Sequence, residues 1–129
     1  MQALANNHAL ITGGSRGIGA TIAQELCSLG ARVTLLSRNE VLLKESVKEL
    51  NERFPLNGGN RHDYIAYDLS HPHDMLSCLR KQHWNQFTSA NILINCAGMT
   101  QTSLLINTPP EQISDIINVN LVSPILLCK

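Results

Sequence analysis

The stretch Thr12-Gly13-Gly14-Ser15-Arg16-Gly17-Ile18-Gly19 decides the fold of this 129-residue chain. It follows the short apolar run Ala9-Leu10-Ile11 and opens a segment with apolar residues at helical spacing. A glycine-rich turn between a strand and a helix lets the backbone approach a pyrophosphate, and the helix then points free N–H groups at that anion. The alternative is a glycine-rich turn that binds no ligand. Two later motifs argue against this alternative, because they fall where a nucleotide site would need them.

Segments with strand character alternate with segments of helical period along the whole chain. Strands are predicted over residues 9–12, 32–36, 63–68 and 91–95. Helices are predicted from Ile18 up to Gly30, from the N-cap Asn39 up to Pro55, from residues 70–74 to about Trp84, and from Pro109 towards Lys129. This alternation predicts an α/β fold, a Rossmann-like doubly wound parallel sheet with strand order 3-2-1-4, truncated after the fourth β-α unit.

The composition excludes several classes of protein. Ten basic and ten acidic residues give a formal net charge of zero, which argues against nucleic acid or an anionic membrane as partner. No apolar run approaches the ~20 residues of a membrane span. The first seven residues are too short for a signal peptide and lack the arginines of a transit peptide, so no targeting signal is visible. We expect residues 1–129 to form one domain.

The cysteines and histidines form no metal or disulfide pattern. Cys27, Cys78, Cys96 and Cys128 are widely spaced, which indicates reduced thiols in a reducing compartment, the cytoplasm or the mitochondrial matrix. Cys96 is interpreted as a small apolar filler. The five histidines lack ligand spacing, so we expect no metal site and interpret them as solvated loop residues.

The end of the second predicted strand indicates which nucleotide is preferred. Sites for NAD usually place a carboxylate there to bind the ribose 2′-hydroxyl. Here the positions are Ser37 and Arg38, with no carboxylate before Glu40. A guanidinium would bind a 2′-phosphate that a carboxylate would repel, and Arg16 could approach the same group. This favours NADP(H), the alternative being that Arg38 is a solvated residue at a helix start.

Four motifs together resemble the short-chain dehydrogenase/reductase family. The glycine-rich stretch resembles its cofactor loop, and Asp68-Leu69, Asn95-Cys96-Ala97-Gly98 and Asn118-Val119-Asn120 resemble its next landmarks in the same order. The resemblance implies an NAD(P)-binding Rossmann domain over 1–129, with a cofactor site formed by Gly13, Ser15, Arg16, Gly17, Ile18, Gly19, Ser37, Arg38, Asp68, Leu69, Asn95, Ala97 and Gly98. In the family the Asp binds the adenine amine. The alternatives are an Asp68 that caps the third helix and a plain turn at residues 95–98.

Asn120 is the candidate catalytic residue. The spacing of Ile113, Ile117, Asn120, Leu121 and Pro124 predicts one inward-facing stripe on the last helix. An inward Asn must find hydrogen bonds or cost roughly 1–3 kcal/mol. Pro124 has no N–H, so the helix should bend and free the carbonyl of Asn120. The resemblance implies that Asn120 holds a water linked to a catalytic Lys; the alternative is an Asn that patches the bend.

Residues 98–105 resemble the 3-oxoacyl-(acyl-carrier-protein) reductases of fatty acid biosynthesis, although Thr102 and Ser123 depart from the common residues. The resemblance implies NADPH-dependent reduction of a carrier-linked or other small carbonyl to an alcohol by a homo-oligomer. The family's Ser and Tyr-x-x-x-Lys would follow Lys129, so these 129 residues are expected to be inactive alone. The alternative is a non-catalytic nucleotide-binding fragment or partner subunit.

An association surface is also predicted. The far edge of the fourth strand has no predicted partner, and unpaired apolar edges promote association. Ile116, Val119, Leu126 and Leu127 form a second apolar side of the last helix. We therefore expect the isolated chain to associate or aggregate.

Overall fold

Strands and helices alternate through residues 3–129, the part of the chain that the computed structural model describes. The strands are β1 (His8–Thr12), β2 (Arg32–Ser37), β3 (Asp63–Ala66) and β4 (Ile92–Asn95), and the helices are α1 (Gly17–Ser28), α2 (Glu40–Arg53), α3 (Met75–Gln82), α4 (Trp84–Thr88), α5 (Pro110–Ile117) and α6 (Ser123–Cys128). A 3₁₀ turn covers Leu105–Asn107 and a π-helical turn covers Asn118–Val122. No helix in this range is long and apolar enough to cross a membrane. The N-terminal stretch considered for a targeting signal begins with Met1 and Gln2, which lie outside the described residues.

The four strands form one parallel sheet in the order β3-β2-β1-β4, which confirms the predicted topology. Thr12 at the end of β1 pairs with Leu36 of β2 and with Asn95 of β4, so the carboxyl ends of these three strands meet at one end of the sheet, called here the carboxyl edge. All five residues of β1 are buried, because this strand has a neighbour on each side and helices over both faces. The register therefore gathers the predicted motifs at a single edge.

Successive residues of the strands point to opposite faces of the sheet, and each face carries its own hydrophobic core. Ile11 and Leu35 pack with α1 and α2 on one face, where Leu43 contributes from α2. Their chain neighbours Leu10 and Leu36 pack on the other face. The second core also contains Ile65, Met75, Leu79, Val119 and Leu127. The helices after β3 and β4 thus cover one face of the sheet, and the helices after β1 and β2 cover the other.

Two predicted boundaries are wrong because a turn intervenes between β3 and α3. The strand ends at Ala66 rather than Asp68, and the helix begins at Met75 rather than in residues 70–74. The N–H of Ser70 donates to Asp68 Oδ1 at 2.9 Å, and the N–H of His71 donates to the Asp68 carbonyl at 3.1 Å. These bonds give the segment a turn of its own. By contrast, the predicted N-cap of α2 is confirmed, since Asn39 Oδ1 accepts from the N–H of Leu42 at 3.1 Å.

The final helix is interrupted, and its predicted inward stripe is wrong. The N–H of Ser123 donates to the carbonyl of Asn118, five residues back, so a π-helical turn separates α5 from α6. Pro124 follows directly and has no N–H to restore the α pattern. Both sides of this helix are apolar, and packing against the second core selects the side that carries Val119 and Leu127. Ile117 and Leu121 of the predicted inward stripe are exposed, and so is Ile125, whereas Val119 and Leu127, expected to be exposed, are buried.

Two of the histidines are buried, contrary to the solvated-loop interpretation. The Nδ1 atom of His8 lies 2.8 Å from Ser89 Oγ, and its Nε2 atom lies 2.7 Å from Thr34 Oγ1. His62 Nε2 donates to the carbonyl of Phe54 at 2.8 Å, while its Nδ1 accepts from the N–H of Val33 at 3.2 Å. Both rings lie near the amino ends of the strands and link neighbouring segments. Their burial depends on partners that are distant in the sequence.

Candidate functional site

A groove of about 320 Å³ lies where the carboxyl ends of the four strands meet. Its walls come from the segments that end or follow each strand, as expected for a doubly wound sheet. It brings together ten of the predicted residues: Gly13, Ser15, Arg16, Gly17, Ser37, Arg38, Asp68, Leu69, Ala97 and Gly98. Most of the predicted cofactor site therefore shares one surface.

The glycine-rich turn is packed too closely for side chains at two positions. Gly13 has a φ of +65°, and a Cβ there would lie 2.9 Å from the backbone nitrogen of Ala97. A Cβ on Gly19 would overlap the carbonyl oxygen of Gly13. These contacts bring the turn after β1 against the turn after β4 and against the start of α1. They form the narrow floor of the groove.

Thr12 joins β1 to the loop after β4 beneath that floor. Its side chain is buried, and Oγ1 accepts hydrogen bonds from the N–H groups of Cys96 at 3.2 Å and Ala97 at 3.1 Å. The loop after β4 is therefore held directly against the glycine-rich turn. Sequence reasoning missed this role, because nothing local shows that residues 12 and 96–97 meet.

The start of α1 and two arginines give the groove its positive character. Among residues 3–129, no side chain caps the first turn of α1, and that turn contains no acidic residue. The unpaired N–H groups and the positive end of the helix dipole therefore favour an anion there. Arg16 and Arg38 are exposed and line the groove, and neither forms an ion pair within residues 3–129. The arrangement suits phosphate groups.

Asp68 is the carboxylate that lines this groove. Its Oδ1 accepts from the N–H of Ser70 at 2.9 Å and from Ser70 Oγ at 2.7 Å, and its Oδ2 lies 3.6 Å from His71 Nε2. Burial by itself raises the pKa of Asp68, but the hydrogen bonds from Ser70 and the electrostatic influence of the nearby His71 and Arg38 side chains hold this pKa below its ordinary value. The carboxylate is therefore ionised and keeps acceptor capacity on Oδ2.

Asn120 links the last helix to the loop after β4. Its Oδ1 accepts from the N–H of Met99 at 2.8 Å, and its Nδ2 donates to the carbonyl of Met99 at 2.7 Å. The side chain is exposed, not inward-facing as predicted, but it does find the hydrogen bonds that an Asn requires. It reaches the groove through Met99, which is among the lining residues.

Three further predicted cofactor residues are not in the groove lining. Ile18 is 76% exposed, and Gly19 lies behind the glycine-rich turn. The amide of Asn95 points to Cys128, with 3.8 Å between Nδ2 and Sγ. Sequence reasoning missed five lining residues: Leu36, Tyr67, Cys96, Met99 and Val119. Each adjoins a predicted residue in the chain, so adjacency is the signal that could have found them. The described residues contain no cluster of three side chains that could hold a metal ion.

Comparisons with known proteins agree with this geometry. The chain is 32% identical over 126 residues to the 3-oxoacyl-[acyl-carrier-protein] reductase of Chlamydia muridarum, covering 98% of this chain and 49% of that protein. It is 37% identical over 98 residues to the 3-ketodihydrosphingosine reductase of Bos taurus, covering 76% of this chain and 29% of that protein. The L-sorbose reductase of Gluconobacter frateurii, solved with NADPH and L-sorbose, has a TM-score of 0.80 at 25% identity and covers 99% of this chain and 47% of that structure.

The chain thus spans about half the length, or less, of these relatives. The profile described as short chain dehydrogenase matches residues 7–129. With the parallel sheet, the glycine-rich turn and the groove at its carboxyl edge, this match shows that the chain belongs to the short-chain dehydrogenase family.

Proposed function

We propose that this chain is the NADP(H)-binding part of an oxidoreductase that reduces a carbonyl to an alcohol. The observation that carries the proposal is the end of β2, where Ser37 and Arg38 face the groove beside Arg16. The nearest carboxylate in the sequence, Glu40, accepts a hydrogen bond from Tyr64 Oη at 3.2 Å and lies 3.8 Å from Lys44 Nζ. It is therefore engaged away from the groove, which leaves positive charge where a 2′-phosphate would bind.

The residues present fit a dinucleotide phosphate. The uncapped start of α1 would bind the pyrophosphate, and Arg16, Ser37 and Arg38 would bind the 2′-phosphate. Asp68 would accept from the adenine amine through its remaining acceptor sites. The backbone at Ala97 and Gly98 would lie along the ribose. When bound, NADPH supplies the hydride that reduces the carbonyl carbon.

Asn120 is proposed to act through its backbone. Its side-chain amide is committed to both polar groups of the Met99 backbone. Pro124 cannot donate to the carbonyl four residues earlier, which is that of Asn120. A water held by Asn120, as the family resemblance implies, would therefore bind the carbonyl and not the amide.

The proposed substrate is a 3-oxoacyl group on acyl carrier protein. The Chlamydia muridarum relative and the sequence of residues 98–105 support it. The Bos taurus relative supports a sphingoid ketone instead, and the names of both relatives specify a ketone at the third carbon. A second candidate function is that of a non-catalytic nucleotide-binding subunit, which is supported by a groove whose described lining consists, apart from Val119, of the predicted cofactor-binding residues and their chain neighbours. Turnover of a 3-oxoacyl substrate with NADPH would exclude that second candidate.

The test of cofactor choice is calorimetric titration of the chain with NADPH and NADH. Arg38→Asp should weaken NADPH binding roughly ten- to hundredfold, because a charged hydrogen bond contributes about 1.5–3 kcal/mol, and should shift preference towards NADH. Arg80→Asp is the matched control: Arg80 is exposed on α3 and outside the groove, and the charge change is the same. An NADPH-to-NADH ratio that Arg38→Asp leaves unchanged would contradict the proposal.

A further inference from the structure

Two side chains of the last helical segment hold consecutive carbonyls of the turn after β3, which borders the groove. Ser123 Oγ donates to the carbonyl of Leu69 at 2.6 Å, and Asn118 Nδ2 donates to the carbonyl of Ser70 at 3.1 Å. Ser123 is fully buried, so its hydroxyl depends on this bond. Leu69 itself lines the groove. The turn after β3 is therefore attached at two adjacent peptide groups to a helix that lies more than 40 residues further along the chain.

The π-helical turn explains how both donors reach the same turn. Residues five apart in a regular α-helix point in clearly different directions, because 3.6 residues complete one turn. Here the N–H of Ser123 donates to the carbonyl of Asn118, so one helical turn contains five residues. The side chains of Asn118 and Ser123 therefore lie closer to the same side of the helix. The irregularity thus aligns a pair of donors that a regular helix would separate.

The attachment passes through Ser70 to the carboxylate in the groove. Ser70 donates to Asp68 Oδ1 from both its N–H at 2.9 Å and its Oγ at 2.7 Å. The same residue is held at its carbonyl by Asn118. The direction in which Asp68 presents Oδ2 therefore depends on where the π-helical turn holds the Leu69–Ser70 peptide.

We propose that Ser123 and Asn118 are positioning residues that align Asp68 for the adenine base, an inference that rests on the proposed nucleotide site. Neither residue is among those that line the groove. Loss of either donor releases one carbonyl of the turn, and Asp68 then loses its fixed orientation while the glycine-rich turn keeps its own contacts. The effect should therefore be confined to the adenine end of the groove.

The test uses the whole chain with three ligands measured by calorimetry: adenosine 2′,5′-bisphosphate, inosine 2′,5′-bisphosphate, which lacks the amine, and inorganic pyrophosphate. Ser123→Ala and Asn118→Ala should each weaken adenosine 2′,5′-bisphosphate about fivefold or more and reduce the preference for adenosine over inosine. Pyrophosphate binding should change less than twofold. Ser114→Ala, an exposed serine on α5, is the matched control and should leave all three affinities unchanged.

A parallel loss of all three affinities would mean a general structural defect and would overturn the proposal, as would an unchanged adenosine preference. Should Ser123→Ala fail to fold, Asn118→Ala still tests the proposal, because Asn118 is only half-buried and its truncation should be better tolerated. Amide exchange in the ligand-free chain provides a separate measurement. The Ser70 N–H should exchange at least several-fold faster in both variants, and an unchanged rate would overturn the attachment. A wild-type chain that binds no nucleotide would contradict the proposed function instead, while amide exchange would still test the attachment.

Discussion

The two edges of the sheet use their polar groups in opposite ways. At the amino edge, His8 and His62 are buried and bonded on both ring nitrogens. At the carboxyl edge, Arg16 and Arg38 are exposed without an ion pair in the described part of the chain, and α1 begins without a cap. Two asparagines repeat the contrast. The side chain of half-buried Asn51 bonds to both the N–H and the carbonyl of His62, whereas that of exposed Asn120 bonds to both the N–H and the carbonyl of Met99.

The difference shows which edge is organised for stability and which for a ligand. Within residues 3–129, no buried side-chain polar atom lacks a hydrogen-bond partner. The buried polar groups of the amino edge therefore form their hydrogen bonds with other groups of the protein, as buried polar groups generally do. The carboxyl edge leaves donors and positive charge facing solvent, where a phosphate group can use them. Variants at the two edges should accordingly affect different measurements.

The largest expected effect is the loss of stability in acid through His8. Burial, followed by the nearby charge of Arg32, lowers the pKa of His8 from 6.5 to about 4, with smaller opposing effects from the hydrogen bond with Ser89 and from Asp63. Because the unfolded chain binds this proton more readily, stability is complete above pH 6.5 and falls as the pH drops towards 4. The loss should be about 3 kcal/mol, measured by urea unfolding across this range.

His8→Gln removes the titrating group and should flatten this pH dependence. A residual slope should remain, since burial also lowers the pKa of His62. The matched control is His71→Gln, at an exposed histidine of the carboxyl edge, which should keep most of the wild-type slope. If His8→Gln and wild type lose stability equally between pH 6.5 and 4, the contrast between the edges does not depend on His8.

The next effect concerns the close approach beneath the groove. Gly13→Ala should destabilise the chain by about 2 kcal/mol, because its Cβ would meet Ala97 and its φ is +65°. Gly58→Ala is a matched control, since Gly58 has a φ of +71° and nothing within 4 Å of the added Cβ. That control should cost only about 1 kcal/mol. If Gly13→Ala and Gly58→Ala lower the free energy of unfolding equally, in thermal or urea unfolding, the loop after β4 moves aside without cost.

The smallest effect compares the two asparagines directly. Each makes two hydrogen bonds to the backbone of a single residue, so truncation removes the same number of bonds. Asn120→Ala should cost about 1 kcal/mol, because water can replace its exposed bonds, and Asn51→Ala should cost about 2 kcal/mol. Urea unfolding at pH 7 measures both. A larger loss for Asn120→Ala would reverse our assignment of the stabilising edge.

The sequence predicted the groove better than it predicted the helix that braces it. Turn and strand signals are local, so the glycine-rich stretch, Ser37-Arg38, Asp68 and Ala97-Gly98 could be placed at strand ends and therefore at one edge. The buried face of the last helix could not be predicted, because both of its sides are apolar and packing against the second core selects the side with Val119 and Leu127. The burial of His8 was missed for a related reason, since its partners Thr34 and Ser89 are 26 and 81 residues away.

By itself, the sequence determined the alternation of strands and helices, the parallel order 3-2-1-4 and the residues at the ends of the strands, because these follow from hydrophobic period and turn chemistry within short windows. Only the tertiary structure decided that Thr12 holds the loop after β4, that Asn120 brackets Met99 and that Ser123 holds Leu69. Those contacts join segments 21 to 84 residues apart, and hydrogen bonds at such separation depend on how the helices pack and on where the π-helical turn places each side chain.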